Sequence, residues 1–155
     1  MVSDLDTQGI IDGFWGRTLP IEEWTHMAHL IVGLHTAIQH DLDTSISLLR
    51  DGIRQYNISV GTPNTDTGGY HETITIFFAH AMQAYVSQFE PSVKFEQMAD
   101  RLKSSVLVDP KFMLSYYSKD RLFSVEARQG YLEPDCQPLD HLRSADFWIS
   151  QVQRG

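Results

Sequence analysis

WTHMAHLIVGLHTAIQ, residues 24–39, is apolar on most sides when wound as a helix. Met27, Ile31, Leu34 and Ile38 recur at the alternating three-and-four spacing of one helical face, while Ala28, Leu30 and Val32 fall off that stripe. A helix with no clear wet face belongs at the centre of a bundle. Upstream, Thr18-Leu-Pro20-Ile-Glu22-Glu23 carries proline and acids where a helix start favours them. The helix is therefore expected to begin there and run to about Gln39.

Three further helices complete the expected bundle. Asp43 or Thr44 caps the second, whose inward positions are Ile46, Leu49, Ile53, Tyr56 and Val60. The third runs from about Gly69 to Phe89 on two apolar rows, Ile74, Phe77, Ala81, Ala84 and Phe78, Met82, Tyr85, Phe89. Ser92 opens the fourth, with Phe95, Met98 or Ala99, Leu102 and Val106 inward. Between the second and third, GTPNTDTGG (61–69) has no large apolar residue and is rich in turn formers, the composition of a long functional loop. Asp109-Pro110, Ser118 and Ser124 each begin a short helix, around Phe112–Tyr117, Lys119–Phe123 and Val125–Gln129. Glu133–Pro138 reads as extended, and Asp140 caps a last turn that buries Phe147, Trp148 and Ile149. No segment alternates with period two over a useful length, so the expected fold class is all-α.

A chain of 155 residues, 42% hydrophobic, can close one core, which makes residues 1–155 a single helical-bundle domain. Twelve basic residues against 20 acidic give a charge of −8, which repels phosphate backbones and anionic membrane surfaces, so no nucleic acid and no membrane partner is expected. No apolar run approaches the roughly 20 residues needed to cross a bilayer, and MVSDLDTQG lacks the basic-then-apolar pattern of a secretory signal. A cytoplasmic protein is expected. Cys136 is the sole cysteine, so any metal would be held by nitrogen and oxygen.

The candidate chemistry lies in the histidines. His26 and His29, three residues apart, project about 60° apart around the helix and can reach one point. Glu22, four residues before His26, would share their stripe, and Gly33 leaves room one turn on. A lone histidine on an apolar face is ordinarily a satisfied core residue. Two in one greasy helix must find partners for four ring nitrogens, which is costly unless something polar sits between the helices. In TGGYHETIT (67–75), His71 stands one turn before Thr75 and leads into the row Phe78, Met82, Tyr85, so its ring is expected to point inward. The positive end of the helix dipole disfavours imidazolium there, and neutral imidazole is the form that binds a metal or accepts a proton.

Glu72, about 100° from His71, would either bond back to the Gly69 amide as half of a capping box or move a proton. His71-Glu72 is not the start of a zincin motif, because Thr75 occupies the position of the second histidine. The expected constellation is His26, His29 and His71 as metal ligands, with Glu72 or Glu22 as the catalytic carboxylate, around a divalent Zn, Fe, Ni or Cu ion. Arg50 and Arg54, one turn apart, with Asn57 beyond, read first as solvated charge and second as a grip for a carboxylate or phosphate. His35, His40, His80 and His141 show no converging partner and read as surface or packing residues, while Glu133 and Asp135 lie on the tail.

Taken together, WTHMAHL, LRDGIRQYN, GYHETIT and YYSKDRLFSVEAR resemble a family of small bacterial helical proteins of uncharacterised activity, over about Glu23 to Pro138. The resemblance implies one helical fold and no particular substrate. The metal-binding bundles of the DinB type also carry histidines on packed helices, but place a closely spaced pair late in the chain, whereas His26 and His29 come early.

Three functions follow as expectations. The first is a metal-dependent enzyme acting on a small molecule between two core helices, its access gated by the 61–69 loop. The second is a metal-free acid/base enzyme using His71 and Glu72. The third is a non-enzymatic bundle with structural histidines that binds a partner or a second copy, since two long apolar helices in a short chain are compatible with a homodimer.

Overall fold

The structure, a computed structural model, describes residues 6–144 together with 147 and 148. These residues form helices α1 (Thr7–Trp15), α2 (His26–Gln39), α3 (Leu42–Ser59), α4 (Glu72–Val86), α5 (Phe95–Leu102), and the short α6 (Lys119–Leu122) and α7 (Val125–Gln129). Turns of 3-10 helix lie at Ile21–Glu23, Val106–Val108, Phe112–Ser115 and Leu139–Arg143, and there is no strand among the described residues. The fold is an all-α bundle, and among the described residues no helix is long and apolar enough to cross a membrane.

α2 and α4 form the most extensive helix pair, with α3 packed across both. Ala28, Val32 and Leu34 on α2 and Phe77, Ala81, Met82 and Tyr85 on α4 have no exposed surface. The central helix inferred from residues 24–39 is central, because burying it on most sides removes its apolar area from water.

The bundle has a fifth substantial member. Asp6 accepts a hydrogen bond from the Gly9 amide and starts α1, which buries Ile10, Ile11 and Phe14. Phe14 stacks on Trp24, with centroids 4.6 Å apart. Trp15 lies so close to α3 that a Cβ on Gly52 would stand 2.6 Å from its ring, so the α1–α3 approach needs glycine there.

Four helix starts differ from the sequence reading. α3 is capped by Asp41, whose carboxylate accepts from the Thr44 amide, rather than by Asp43 or Thr44, and α5 starts at Phe95 after Lys94 rather than at Ser92. The remaining two are α2 and α4. The chain from Pro20 makes a 3-10 turn, leaves helical geometry at Trp24, and begins α2 only at His26, where the Thr25 hydroxyl accepts from the Ala28 amide at 3.2 Å. Thr25 is the stronger cap, since its oxygen satisfies an amide that Pro20 leaves open. Glu22 therefore does not stand on α2. The other shifted start is α4, capped by His71 rather than Gly69. Gly69 has φ +77°, and a Cβ there would fall 2.4 Å from the Pro63 carbonyl, so it turns the loop tightly against itself.

The 61–69 loop is tied down. Asn64 Oδ1 accepts from the Tyr70 amide and from Asn57 Nδ2, both at 3.0 Å, while its Nδ2 donates to the Arg54 carbonyl. The C-terminal segment then crosses the start of α4. The Thr73 hydroxyl donates to the Gly130 carbonyl and accepts from the Leu132 amide, and Arg128 donates to the Gly69 and Tyr70 carbonyls. Ser118 and Ser124 cap α6 and α7 as read. Asp135 pins the tail by accepting from both the amide and the hydroxyl of Ser118. Trp148 is buried, its indole donating to the Leu142 carbonyl; Ile149 lies outside the described residues.

Candidate small-molecule site

Between α2, α3 and α4 lies a cavity of about 290 Å³. Its apolar walls include Leu30, Leu49, Ile53, Phe78 and Met82, and its polar side chains are His26, His29 and Thr75. Thr75 is spent on the backbone, donating to the His71 carbonyl at 2.9 Å. Gly33 also lines the cavity, where a Cβ would meet Met82 at 3.4 Å.

The two imidazoles are held by the same device. His26 Nε2 lies 2.9 Å from the Leu107 carbonyl and His29 Nδ1 lies 2.7 Å from the Thr25 carbonyl. A carbonyl only accepts, so each of those nitrogens carries the proton. In the neutral ring the second nitrogen, Nδ1 of His26 and Nε2 of His29, is then a lone pair. Neither has a hydrogen-bond partner among the described residues.

The His29 ring lies under the Trp24 indole, 3.7 Å between centroids and 27° between planes. The residue is exposed, yet the walls around its ring are apolar. Loss of hydration lowers its pKa against the opposing pull of the Thr25 carbonyl, and His26 nearby lowers it further. It stays neutral at pH 7.

His71 is placed differently. The ring is buried as expected, but both nitrogens are engaged: Nε2–H donates to the Leu122 carbonyl at 2.8 Å, and Nδ1 accepts the Ile74 amide at 3.2 Å. Desolvation lowers its pKa, the Leu122 hydrogen bond opposes that, and Arg128 lowers it again. His71 faces a groove of about 350 Å³ that shares Trp24, His29, Ile74 and Thr75 with the cavity. His29 thus lines both spaces, whereas His26 lines only the cavity and His71 only the groove.

The carboxylates lie elsewhere. Glu72 does not reach back to Gly69. Arg50 grips it with two bonds, 2.9 Å from Nε and 2.6 Å from Nη2, and the Tyr70 hydroxyl donates to it at 2.6 Å. Burial alone would raise the Glu72 carboxyl, but the bonds from Arg50 and Tyr70 outweigh it and hold the pKa low. Glu22 is exposed on its 3-10 turn and lines neither cavity nor groove. Among the described residues, no group of three or more His, Cys, Asp or Glu side chains is arranged to hold a metal ion.

Sequence reasoning missed Trp24 as a wall of the site. Its signal was available, since an aromatic two residues before a histidine pair sits at the same helix mouth. It also treated His141 as unpartnered, although Tyr116 meets its Nδ1 at 2.5 Å. No known protein family, curated protein or solved structure matches this chain.

Proposed function

We propose that the protein binds a small, mainly apolar molecule carrying a hydroxyl or amine donor, in the cavity between α2, α3 and α4. One observation supports this reading: two imidazoles line a single apolar cavity, each with one N–H committed to a backbone carbonyl. Two lone pairs cannot satisfy one another, so an occupant that brings a donor would find an acceptor at either ring in place of water. The volume suits a compact ring, since a cavity of about 150 Å³ accepts benzene. His29 serves as acceptor rather than general base, because a nitrogen that resists protonation at pH 7 takes a proton poorly from a substrate.

The test compares phenol with toluene, which match in shape and differ in one O–H. Calorimetry should show phenol binding about fivefold tighter, the worth of one net hydrogen bond of about 1 kcal/mol. His29→Phe, which keeps a ring against Trp24, should erase the preference. Equal binding of both by the wild-type protein would defeat the proposal.

A second reading keeps the metal-dependent enzyme of the sequence analysis, with the ion on His26 and His29. The favouring observation is that each ring donates its N–H to a backbone carbonyl, the usual outer partner of a metal-bound imidazole. His71 would have to give up its cap on α4 to join them, and Glu72 its hold on Arg50, so the substrate would complete the coordination. Titration with Zn²⁺ or Ni²⁺ decides: saturable binding lost in His26→Ala and in His29→Ala, yet kept in His71→Asn, supports this reading over the metal-free one.

A further inference from the structure

A second cleft, of about 260 Å³, opens where α3, the 61–69 loop and α7 meet. Arg50 and Arg54 enter it from α3 and Arg128 from α7, beside Tyr70, Thr65 and Glu72. Three of the chain's 12 basic residues thus converge in a protein whose charge is −8. Two carboxylates share the cleft. Glu72 is spoken for by Arg50 and Tyr70, and Asp66 accepts from Gln129. Three guanidinium groups against two carboxylates leave one positive charge over.

Arg54 and Arg128 form no ion pair among the described residues. Arg54 lies over the Tyr70 ring, 5.6 Å from its centroid, which fixes its head beside the cleft without using its N–H groups. Arg128 spends Nη1 on the Gly69 and Tyr70 carbonyls, and no bond from its Nε or Nη2 is formed among the described residues. Thr65 accepts through Oγ1 from the Thr67 and Gly68 amides, which leaves its own O–H to donate. The donors of this cleft outnumber its acceptors, and they come from three separate parts of the chain.

We propose that this cleft binds the oxyanion group, carboxylate or phosphate, of a small molecule, with Arg54 and Arg128 as its charged donors. Guanidinium forks match such groups in pairs of parallel hydrogen bonds, and two fixed forks facing one cleft give orientation as well as attraction. The site does not depend on the occupant of the apolar cavity.

The test follows the side-chain Nε–H signals of the arginines by NMR while sodium phosphate or sodium acetate replaces sodium chloride at constant ionic strength. Saturable shifts at Arg54 and Arg128 with either anion support the proposal, and the tighter of the two names the group. Arg54→Gln should weaken binding about tenfold and Arg54→Lys less. Arg54 is exposed, so the fold should survive, and an unchanged thermal unfolding midpoint would confirm that it has. Shifts that chloride reproduces, or that Arg54→Gln leaves intact, would overturn the proposal.

Discussion

The indole of Trp24 lies flat on the imidazole of His29, 3.7 Å between ring centroids, at the mouth of the cavity between α2, α3 and α4. The stack holds a ring whose Nδ1–H already points at the Thr25 carbonyl, so His29 is fixed in one tautomer. His26 and His71 are fixed in the other, with Nε2–H on the Leu107 and Leu122 carbonyls. Long-range ¹⁵N–¹H correlation spectra at pH 7 should therefore show His29 protonated at Nδ1, and His26 and His71 at Nε2. Fast-exchanging tautomers at His29 would contradict the stacked geometry.

Acid should weaken the fold through His29 and His71. Loss of hydration, at His29 between Trp24 and the apolar cavity walls and at His71 within the core, holds both below their ordinary value of 6.5. Above 6.5 the rings are neutral whether the chain is folded or not. As the pH falls below 6.5, the unfolded chain binds protons that the folded chain refuses, and stability drops until the lowered folded values are passed. Asparagine is a good helix cap and does not titrate. In urea denaturation His71→Asn should accordingly lose less stability than wild type as the pH falls below 6.5.

Two glycines should respond in opposite directions. Gly33 has room for a methyl group in ordinary contact with Met82, so Gly33→Ala should raise stability by about 0.5–1 kcal/mol through helix propensity. The same methyl narrows the cavity, and toluene should bind more weakly. Gly69→Ala meets the Pro63 carbonyl at 2.4 Å in a left-handed conformation, and thermal unfolding should show a loss of roughly 1–3 kcal/mol.

The grip of Arg50 on Glu72 should couple the two residues energetically. Glu72 is largely shielded, with 15% of its side chain exposed, whereas Arg50 keeps 37%. Solvent at Arg50 moderates the pair, and a double-mutant cycle by urea denaturation with Arg50→Met and Glu72→Gln should give a coupling of roughly 1 kcal/mol. Tyr70→Phe, which removes one donor to the same carboxylate, should cost about 1 kcal/mol.

Much of the bundle was legible because burial leaves a period. The rows through Phe77 and Met82 had to face inward, and serines 118 and 124 announced α6 and α7 by supplying oxygens to open amides. α1 was hidden by its shortness and its two glycines, which dilute a helical pattern that Ile10, Ile11 and Phe14 complete only on packing. The start of α2 depended on a choice between Pro20 and Thr25, and sequence gives both a claim.

The site was harder to read for a different reason. That His26 and His29 share a cavity follows from spacing along one helix. That His71 is used up as a cap does not, because imidazole is an uncommon helix cap and its second partner, Leu122, is 51 residues away. The pairing of Glu72 with Arg50 and the arrival of Arg128 beside Tyr70 are likewise tertiary facts, invisible to any local pattern.

The 61–69 loop and the start of α4 are stitched to Leu122, Arg128, Gln129, Gly130 and Leu132, all contributed by chain made more than 45 residues later. During synthesis the helices up to α5 emerge before those partners exist, and the Asp66 carboxylate, the Gly69 and Tyr70 carbonyls and the His71 N–H wait turned to water. A nascent chain halted short of residue 128 would hold most of the bundle and the lining of the groove, yet lack Arg128 and Gln129, so the arginine cleft is the last of these spaces to be completed.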